Sequence, residues 1–445
     1  MTSMRRAAST ALADLLRSAG FARAYTLAAL SFAFLTTAIH RINDTVTLAT
    51  IVAGLAAIGI GILALRRDEL SFVGFAPTTL VLYAAWALAS LAWSLDGTHG
   101  RTLSAWLSLF GWAVVAVTIA HIRDTLQIAR AMGDVLRWLL TASLAIEVLM
   151  GIVIDAPLEG LGIRGALAYG GPVQGLFGSR NLLGFVAVLA LVTFAIEWRA
   201  RAVARHVAIY SIVLAGALTV LSGSPVAFVL VVMLLLAEFA LSIARRTPRD
   251  RRRRVHIAIA IVAAIGFLAA FVLRHQIIHF FAARSGFAAR ADLWNALIEW
   301  VRPRPVNGWG FFGTWEGEPF PTNIINRQLG WPNDSALSSY FDVLLQLGWV
   351  GFLLFAAFSV LALVRAWLAA ADRRSVVYAW LPLTLIVLLV VSVFESYTLT
   401  DLGWMLLVVC AVRAGQERSW RTRIDPAAPI PPPSARPQGP RGSAG

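Results

Sequence analysis

The chain has 445 residues, of which 58% are hydrophobic and only 14% charged, and its mean hydropathy is +0.73. A soluble protein carries about 25% charged residues, so the composition excludes a soluble globular chain and points to an integral membrane protein. All 38 cationic side chains are arginine, giving a net charge of +14 whose placement follows membrane topology rather than a nucleic-acid partner.

In chain order, residues 1–20 are basic, Ala/Leu-rich and amphipathic, with no apolar core directly after the Arg5–Arg6 pair. They are expected to form an uncleaved cytoplasmic leader rather than a signal peptide. About twenty apolar residues cross a bilayer as a helix. Twelve such runs follow, at about 22–40, 47–65, 76–94, 103–121, 136–154, 180–197, 206–222, 224–243, 255–274, 343–365, 376–394 and 399–413. Runs seven and eight are separated only by "LSGSPVAF" (221–228). A continuous helix would be nearly twice too long there, so a hairpin is predicted. The expected fold is all-α and polytopic, with about twelve transmembrane helices and a large extracytoplasmic loop between helices 9 and 10. The expected organisation is leader 1–20, spans 1–9 over 21–274, large loop 275–342, spans 10–12 over 343–413, and a Pro/Gly-rich disordered cytoplasmic tail over 414–445.

The arginines test the count. With both termini inside, ten fall outside (Arg41, Arg101, Arg164, Arg180, Arg274, Arg284, Arg290, Arg302, Arg304 and Arg327), leaving 28 of the 38 on the cytoplasmic side. This is the positive-inside bias, and the run RRTPRDRRRR (245–254) is its strongest anchor. The expected location is the bacterial cytoplasmic membrane. Cys410 is the only cysteine, so neither an internal disulfide nor a cysteine zinc site is possible.

Two outer connections are long, 155–179 and 275–342, which places the working face outside. "GWGFFGTWEG" (308–317) follows no strand and lacks the lysine of a phosphate loop, so it is not a nucleotide site. "RSGFAARADLWNALIEWVRP" (284–303) predicts an amphipathic helix stopped by Pro303. Its apolar face is Phe287, Leu293, Trp294, Leu297, Ile298 and Val301, with Trp294 and Trp300 suited to an interface. Asp334 is a candidate helix N-cap. Ser335, Ser338, Ser339, Asp342 and Gln346 then form one polar face leading into span 10, expected to border a substrate cavity.

Outer arginines at a membrane surface suit phosphate, because a guanidinium is always charged and binds bidentately. Arg180 opens span 6 in "GLFGSRNLLGF". Acid or base candidates on the same side are His275, His279, Asp292, Glu299, Glu316, Glu318, Asp334, Asp342, Glu395 and Asp401, and Glu147 in span 5 could line a cavity. His275 and His279 stand one turn apart, but no third ligand accompanies them, so no metal site is expected. Glu238 is expected to reach the cytoplasmic surface.

The order of these features resembles the O-antigen ligase and Wzy-type polymerase superfamily of bacterial envelope proteins. "GLFGSRNLLGFVAVLAL" (175–191) is similar to its Gly-rich turn opening a helix, and "LSGSPVAFVLVV" (221–232) to its small-residue break. "RADLWNALIEW" (290–300) followed by "PVNGWGFFGT" (305–314) is similar to its Arg-x-x-x-Trp helix and Gly-x-Gly. "SSYFDVLLQLGWVGFLL" (338–354) is similar to the lead-in to its tenth span.

The resemblance implies transfer of a glycan from an undecaprenyl-diphosphate donor to a hydroxyl on a glycan or lipid acceptor, with no metal or other cofactor, among membrane lipids and without nucleic acid. By motif position Arg180 and Arg290 would bind the diphosphate, with Arg284 as a further candidate. At the place of the His-Asn pair that many members carry before the Tyr of the tenth-span segment stand Leu337-Ser338 or, in a shifted alignment, Asn333-Asp334, in either case without His. Asp342 or His279 then becomes the candidate base. A lipid-linked-glycan flippase and a non-catalytic envelope-assembly partner are the alternative readings.

Overall fold

The computed structural model describes residues 13–67, 74–95, 97–165, 167–273 and 287–417. Within them each of the twelve apolar runs is helical. We label the helices α1 (Ala19–Ile42), α2 (Thr45–Leu65), α3 (Thr78–Ala89), α4 (His99–Ile122), α5 (Thr125–Val148), α6 (Arg180–Arg199), α7 (Arg205–Leu221), α8 (Pro225–Arg246) and α9 (Arg249–Val272). The outer loop adds α10 (Phe287–Val301) and α11 (Thr322–Leu329), and the chain finishes with α12 (Ser339–Asp372), α13 (Trp380–Phe394) and α14 (Asp401–Glu417). Among the described residues eight helical segments are long and apolar enough to cross a membrane, and the α3 region and α7 are shorter apolar helices. The protein is an all-α polytopic membrane protein.

Local chemistry sets the boundaries. Asp124 and Gln127 form a reciprocal capping box, so α5 begins at Thr125, well before the apolar run at 136. Ser224 caps α8 and Pro225 occupies its first turn, which breaks the chain between α7 and α8 as predicted. These two helices both pack against α6. Asp334 is not a cap: α12 starts after Ser338, and the Asp334 backbone carbonyl instead accepts from Trp315 N at 3.3 Å.

α6 is buried almost throughout, from Leu183 to Glu197, and α14 is buried along most of its length. The outer helices keep apolar faces exposed; on α9 these include Ile261, Val262, Ile265 and Leu268. So much exposed apolar surface requires lipid around it.

The two ends of the bundle carry different contacts. At one end Arg23 pairs with Asp134, Arg199 with Glu238, and Arg252 with Asp372, while Arg245 donates to the carbonyls of Arg373, Arg374 and Ser375. Glu238 therefore ends in an ion pair. The other end gathers the predicted outer segments. There Trp93 Nε1 donates to Asn307 O at 2.9 Å, Arg101 donates to Thr314 O at 2.8 Å, and His40 meets Glu316 at 3.3 Å.

The large outer loop is fastened to α12 by an exchange of backbone hydrogen bonds. Gly348, at φ 63° and ψ −166°, interrupts the helix. Regular helix would send Trp349 N to Leu345 O and Val350 N to Gln346 O. Instead, Trp349 N donates to Pro305 O (2.8 Å) and Val350 N to Val306 O (3.3 Å). The freed carbonyls of Leu345 and Gln346 accept from Trp309 N (3.1 Å) and Gly310 N (2.9 Å). Gly308 lies against this break: a Cβ there would stand 2.6 Å from the Gln346 carbonyl. Leu293, Leu297 and Val301 of α10 then pack with Phe312, Trp315, Ile325 and Leu345 into a second apolar cluster. Ile298, assigned to the same face from the sequence, is 42% exposed.

Gly348→Ala tests this junction. Its backbone conformation is one essentially only glycine adopts, costing about 1–3 kcal/mol for other residues, and its Cβ would collide with the Val306 carbonyl. The expected outcome is a lower Tm of the solubilised protein and faster proteolysis between residues 302 and 338. Unchanged values of both would mean that the crossing does not hold the loop.

Candidate functional site

The loop end contains a cleft of about 820 Å³ between the C-terminus of α1, the 155–179 segment and the start of α6. It is lined by Arg41, Glu159, Arg164, Gln174, Ser179 and Arg180 among others. Behind the lining residue Gln174, a buried carboxylate anchors the turn backbone. Glu147 on α5 accepts from Gln174 N and Gly175 N, both at 2.8 Å, and Ser143 accepts from Leu176 N at 3.2 Å. These bonds satisfy turn amides that would otherwise be stranded at the bundle end. Glu147, expected from the sequence as a cavity group, lies beneath the cleft as its support.

Arg41 bridges the two walls. One amino group donates to Leu161 O at 2.8 Å and the other to Gly178 O at 3.1 Å. The guanidinium fills the space where side chains at 162 and 178 would stand, and both residues are glycines at φ near +71° and +72°. Arg164 and Arg180, by contrast, make no hydrogen bond or ion pair with the described residues. Arg180 also occupies the first turn of α6, whose N-terminus is the positive end of the helix dipole. Two unneutralised guanidiniums, one of them at a helix end that already disfavours cations, create a strong preference for an anion.

Arg290 is held differently. It donates to the carbonyls of Leu337 and Phe394, and it pairs with Glu395 at 2.8 Å. Glu395 is only 5% exposed, and burial pushes its carboxyl above the ordinary value against the opposing pull of Arg290. The same carboxylate accepts from Asn181 Nδ2 at 2.7 Å, and Asn181 Oδ1 accepts from Ser224 at 2.7 Å. The Tyr397 hydroxyl joins Glu395 to Ser179, the cap of α6. Arg290 is thus connected through Glu395 to both neighbours of Arg180.

Asp342 is enclosed. At 2% exposure it accepts from Trp315 Nε1 (2.7 Å), Ala336 N (3.1 Å), Ser396 Oγ and Gln346 Nε2 (3.4 Å). The rest of the polar face is occupied too. Gln346 Oε1 accepts from Phe312 N and Gly313 N, Ser338 donates to Ser392 O, and Ser339 to Glu395 O. This face, expected to border substrate, instead binds the outer loop and the α13–α14 turn. His279 and Arg284, together with Arg274 and His275, lie outside the described residues. Arg302 pairs with Glu299 at the surface, while Arg304 stacks on Trp309 and donates to Trp93 O.

The sequence did not single out Arg41, Arg164 or Glu159 as partners of Arg180. The available signal was their common sidedness, with the Gly-rich turns at 160–165 and 175–178. Among the described residues no group of three or more His, Cys, Asp or Glu is placed to hold a metal.

No curated protein matches the chain. Residues 210–356 match the family model described as O-antigen ligase, a segment running from α7 through the large loop to the broken part of α12. It contains Arg290 and Asp342, whereas Arg41, Glu159, Arg164 and Arg180 precede it. Over this segment, about a third of its length, the chain is similar to the O-antigen ligase family.

Proposed function

We propose that this protein transfers a glycan from an undecaprenyl-diphosphate carrier to an acceptor hydroxyl at the outer face of the bacterial cytoplasmic membrane, with both termini inside. The observation that carries the reading is the arginine-lined cleft, with Arg164 and Arg180 at its wall and without a partner among the described residues. A diphosphate leaving group develops negative charge as the glycosyl bond breaks, and fixed guanidiniums stabilise that charge without reorganising. Arginine supplies the neutralisation, so the proposed transfer proceeds without a metal ion. Arg180 and Arg164 contact the diphosphate. Arg290 acts indirectly: its pair with Glu395 sets the position of Asn181 and of the α6 cap. Asp342, already saturated with donors, serves as the strut that holds Trp315 and Ala336. The base role considered for it from the sequence is not carried into the proposal.

A deletion strain profiled for surface polysaccharide tests the whole reading. Accumulated single repeat units would identify a polymerase, and finished chains left on the carrier a ligase. Lipid-linked glycan trapped on the cytoplasmic side would instead identify a transporter and overturn the proposal. Restoring the strain with Arg180→Ala should leave transfer reduced on the order of 10²–10³-fold at normal protein abundance. Surface glycan of wild-type length and amount would remove Arg180 from the site.

Arg290→Ala strands a buried carboxylate, at about 3–5 kcal/mol, and should lower abundance and Tm. Combining it with Glu395→Gln should recover much of the Tm but not the transfer. A double variant as unstable as the single one would show that the pair is not the coupling. For Asp342→Asn the expected change is a stability loss of about 1–3 kcal/mol, with kcat per folded molecule within a few-fold of wild type. A well-folded variant with kcat down a hundredfold would return Asp342 to the chemistry.

A further inference from the structure

The proposed transfer needs a group that takes the proton from the acceptor hydroxyl, and most carboxylates at the loop end are already committed. Glu147 accepts two backbone amides, Glu395 faces Arg290 and Asn181, Asp342 is surrounded by four donors, and Asp401 accepts from Trp112 Nε1 at 3.0 Å. The carboxylate that lines the arginine cleft is Glu159. Its side chain is exposed and has no hydrogen-bond or ion-pair partner among the described residues.

The position of Glu159 is fixed by the backbone around it. Leu158 and Ile163 exchange backbone hydrogen bonds across a tight turn, Leu158 N to Ile163 O at 2.8 Å and Ile163 N to Leu158 O at 3.2 Å. The turn between them is a 3₁₀ segment, Glu159–Leu161, closed by Gly162 in the left-handed region. Arg41 then ties Leu161 O of this turn to Gly178 O, two residues before Arg180. One guanidinium therefore sets the spacing between the wall carrying Glu159 and the wall carrying Arg180. The two glycines at its seat leave it no competing side chain. No ion pair among the described residues occupies the carboxylate, so its oxygens are available to a ligand hydroxyl.

We propose that Glu159 is the general base of the transfer and that Arg41 is the positioning residue that sets it across the cleft from Arg180; this rests on the transfer reading above. The acceptor oxygen forms a bond to the anomeric carbon as the bond from that carbon to the phosphate oxygen breaks. The bonding pair leaves on the diphosphate, against Arg180 and Arg164. The acceptor proton passes to the Glu159 carboxylate and then to solvent. A positioned base contributes about 10²–10⁴-fold to such a step.

The test pairs transfer in the complemented deletion strain with thermal stabilisation of the purified full-length protein by inorganic pyrophosphate, the probe for the arginine site. Glu159→Gln should reduce transfer by about a hundredfold or more. It should keep or strengthen the pyrophosphate response, because a negative charge has left the cleft, and Glu159→Asp should recover part of the activity. Arg180→Ala should lose both readouts. Transfer by Glu159→Gln within a few-fold of wild type overturns the base assignment, even with Arg180→Ala inactive. Loss of both transfer and the pyrophosphate response in Glu159→Gln also overturns it, because the residue would then shape the binding site. Normal transfer by Arg180→Ala would count against the transfer site itself, independently of Glu159.

Discussion

The break in α12 at Gly348 governs how the loop end of this protein is assembled. A backbone amide or carbonyl left without a partner in an apolar surrounding costs several kcal/mol, which is why irregular backbone at membrane depth survives only where protein supplies the missing bonds. Here the missing bonds come from residues 305–310. Two intrahelical hydrogen bonds are exchanged for four to the outer loop. The loop is consequently an integral part of α12 rather than an appendage. The helix needs the loop to satisfy Leu345, Gln346, Trp349 and Val350, and the loop has no other partner for the amides of Trp309 and Gly310. The remaining contacts follow from that mutual dependence. Gln346 reaches the amides of Phe312 and Gly313, Asp342 holds Trp315 and Ala336, and α10 settles onto the resulting apolar surface.

Arginine does three separate jobs at this end, distinguished by what each guanidinium meets. Arg290 meets a buried carboxylate and two carbonyls, so its charge is spent within the protein. Removing it would leave Glu395 uncompensated at a joint between α10, α13 and α6. Arg41 meets only carbonyl oxygens, which hold it in place without cancelling its charge. It is therefore both a strut and a contributor to the positive potential of the cleft. Arg164 and Arg180 meet no protein partner among the described residues, and theirs is the charge available to a ligand. A dense anion such as a diphosphate is matched by such a set, because two or three guanidiniums can surround it while Arg41 keeps the walls from spreading.

The twelve apolar runs were legible in the sequence because hydropathy is a local property that each segment carries by itself. The helix from 287 to 301 was legible for the same reason, through its spacing of Leu293, Leu297 and Val301. The polar face from Ser335 to Gln346 was visible as a face, but its purpose was not. Periodicity reports that a side of a helix is polar without reporting what satisfies it, and the satisfying groups lie in 312–315 and 392–398. Arg180 and Arg290 were equivalent in the sequence, both assigned by motif position to the same anion. Only Glu395, more than a hundred residues from Arg290, separates a paired arginine from an unpaired one. The capping of α12 illustrates the same limit. Asp334 has the right composition for a cap, but its carbonyl is drawn to Trp315 and the helix begins five residues later.

The family-matched segment and the cleft occupy different parts of the chain, and their connection gives the site its physical logic. Residues 210–356 hold the broken helix and the large loop, while the unpaired arginines lie on the earlier 155–180 stretch. Glu395 and Tyr397 join the two, reaching Arg290 on one side and Asn181 and Ser179 on the other. A displacement of α10 would move Arg290, disturb the Glu395 carboxylate and alter the cap of the helix on which Arg180 sits. The loop can therefore influence the anion site without lining it, through a buried ion pair whose members are both unfavourable when separated. This coupling gives the large loop a route to affect the arginine cleft through the placement of Arg180, while the turn beside Arg180 is secured independently by Glu147 and Arg41.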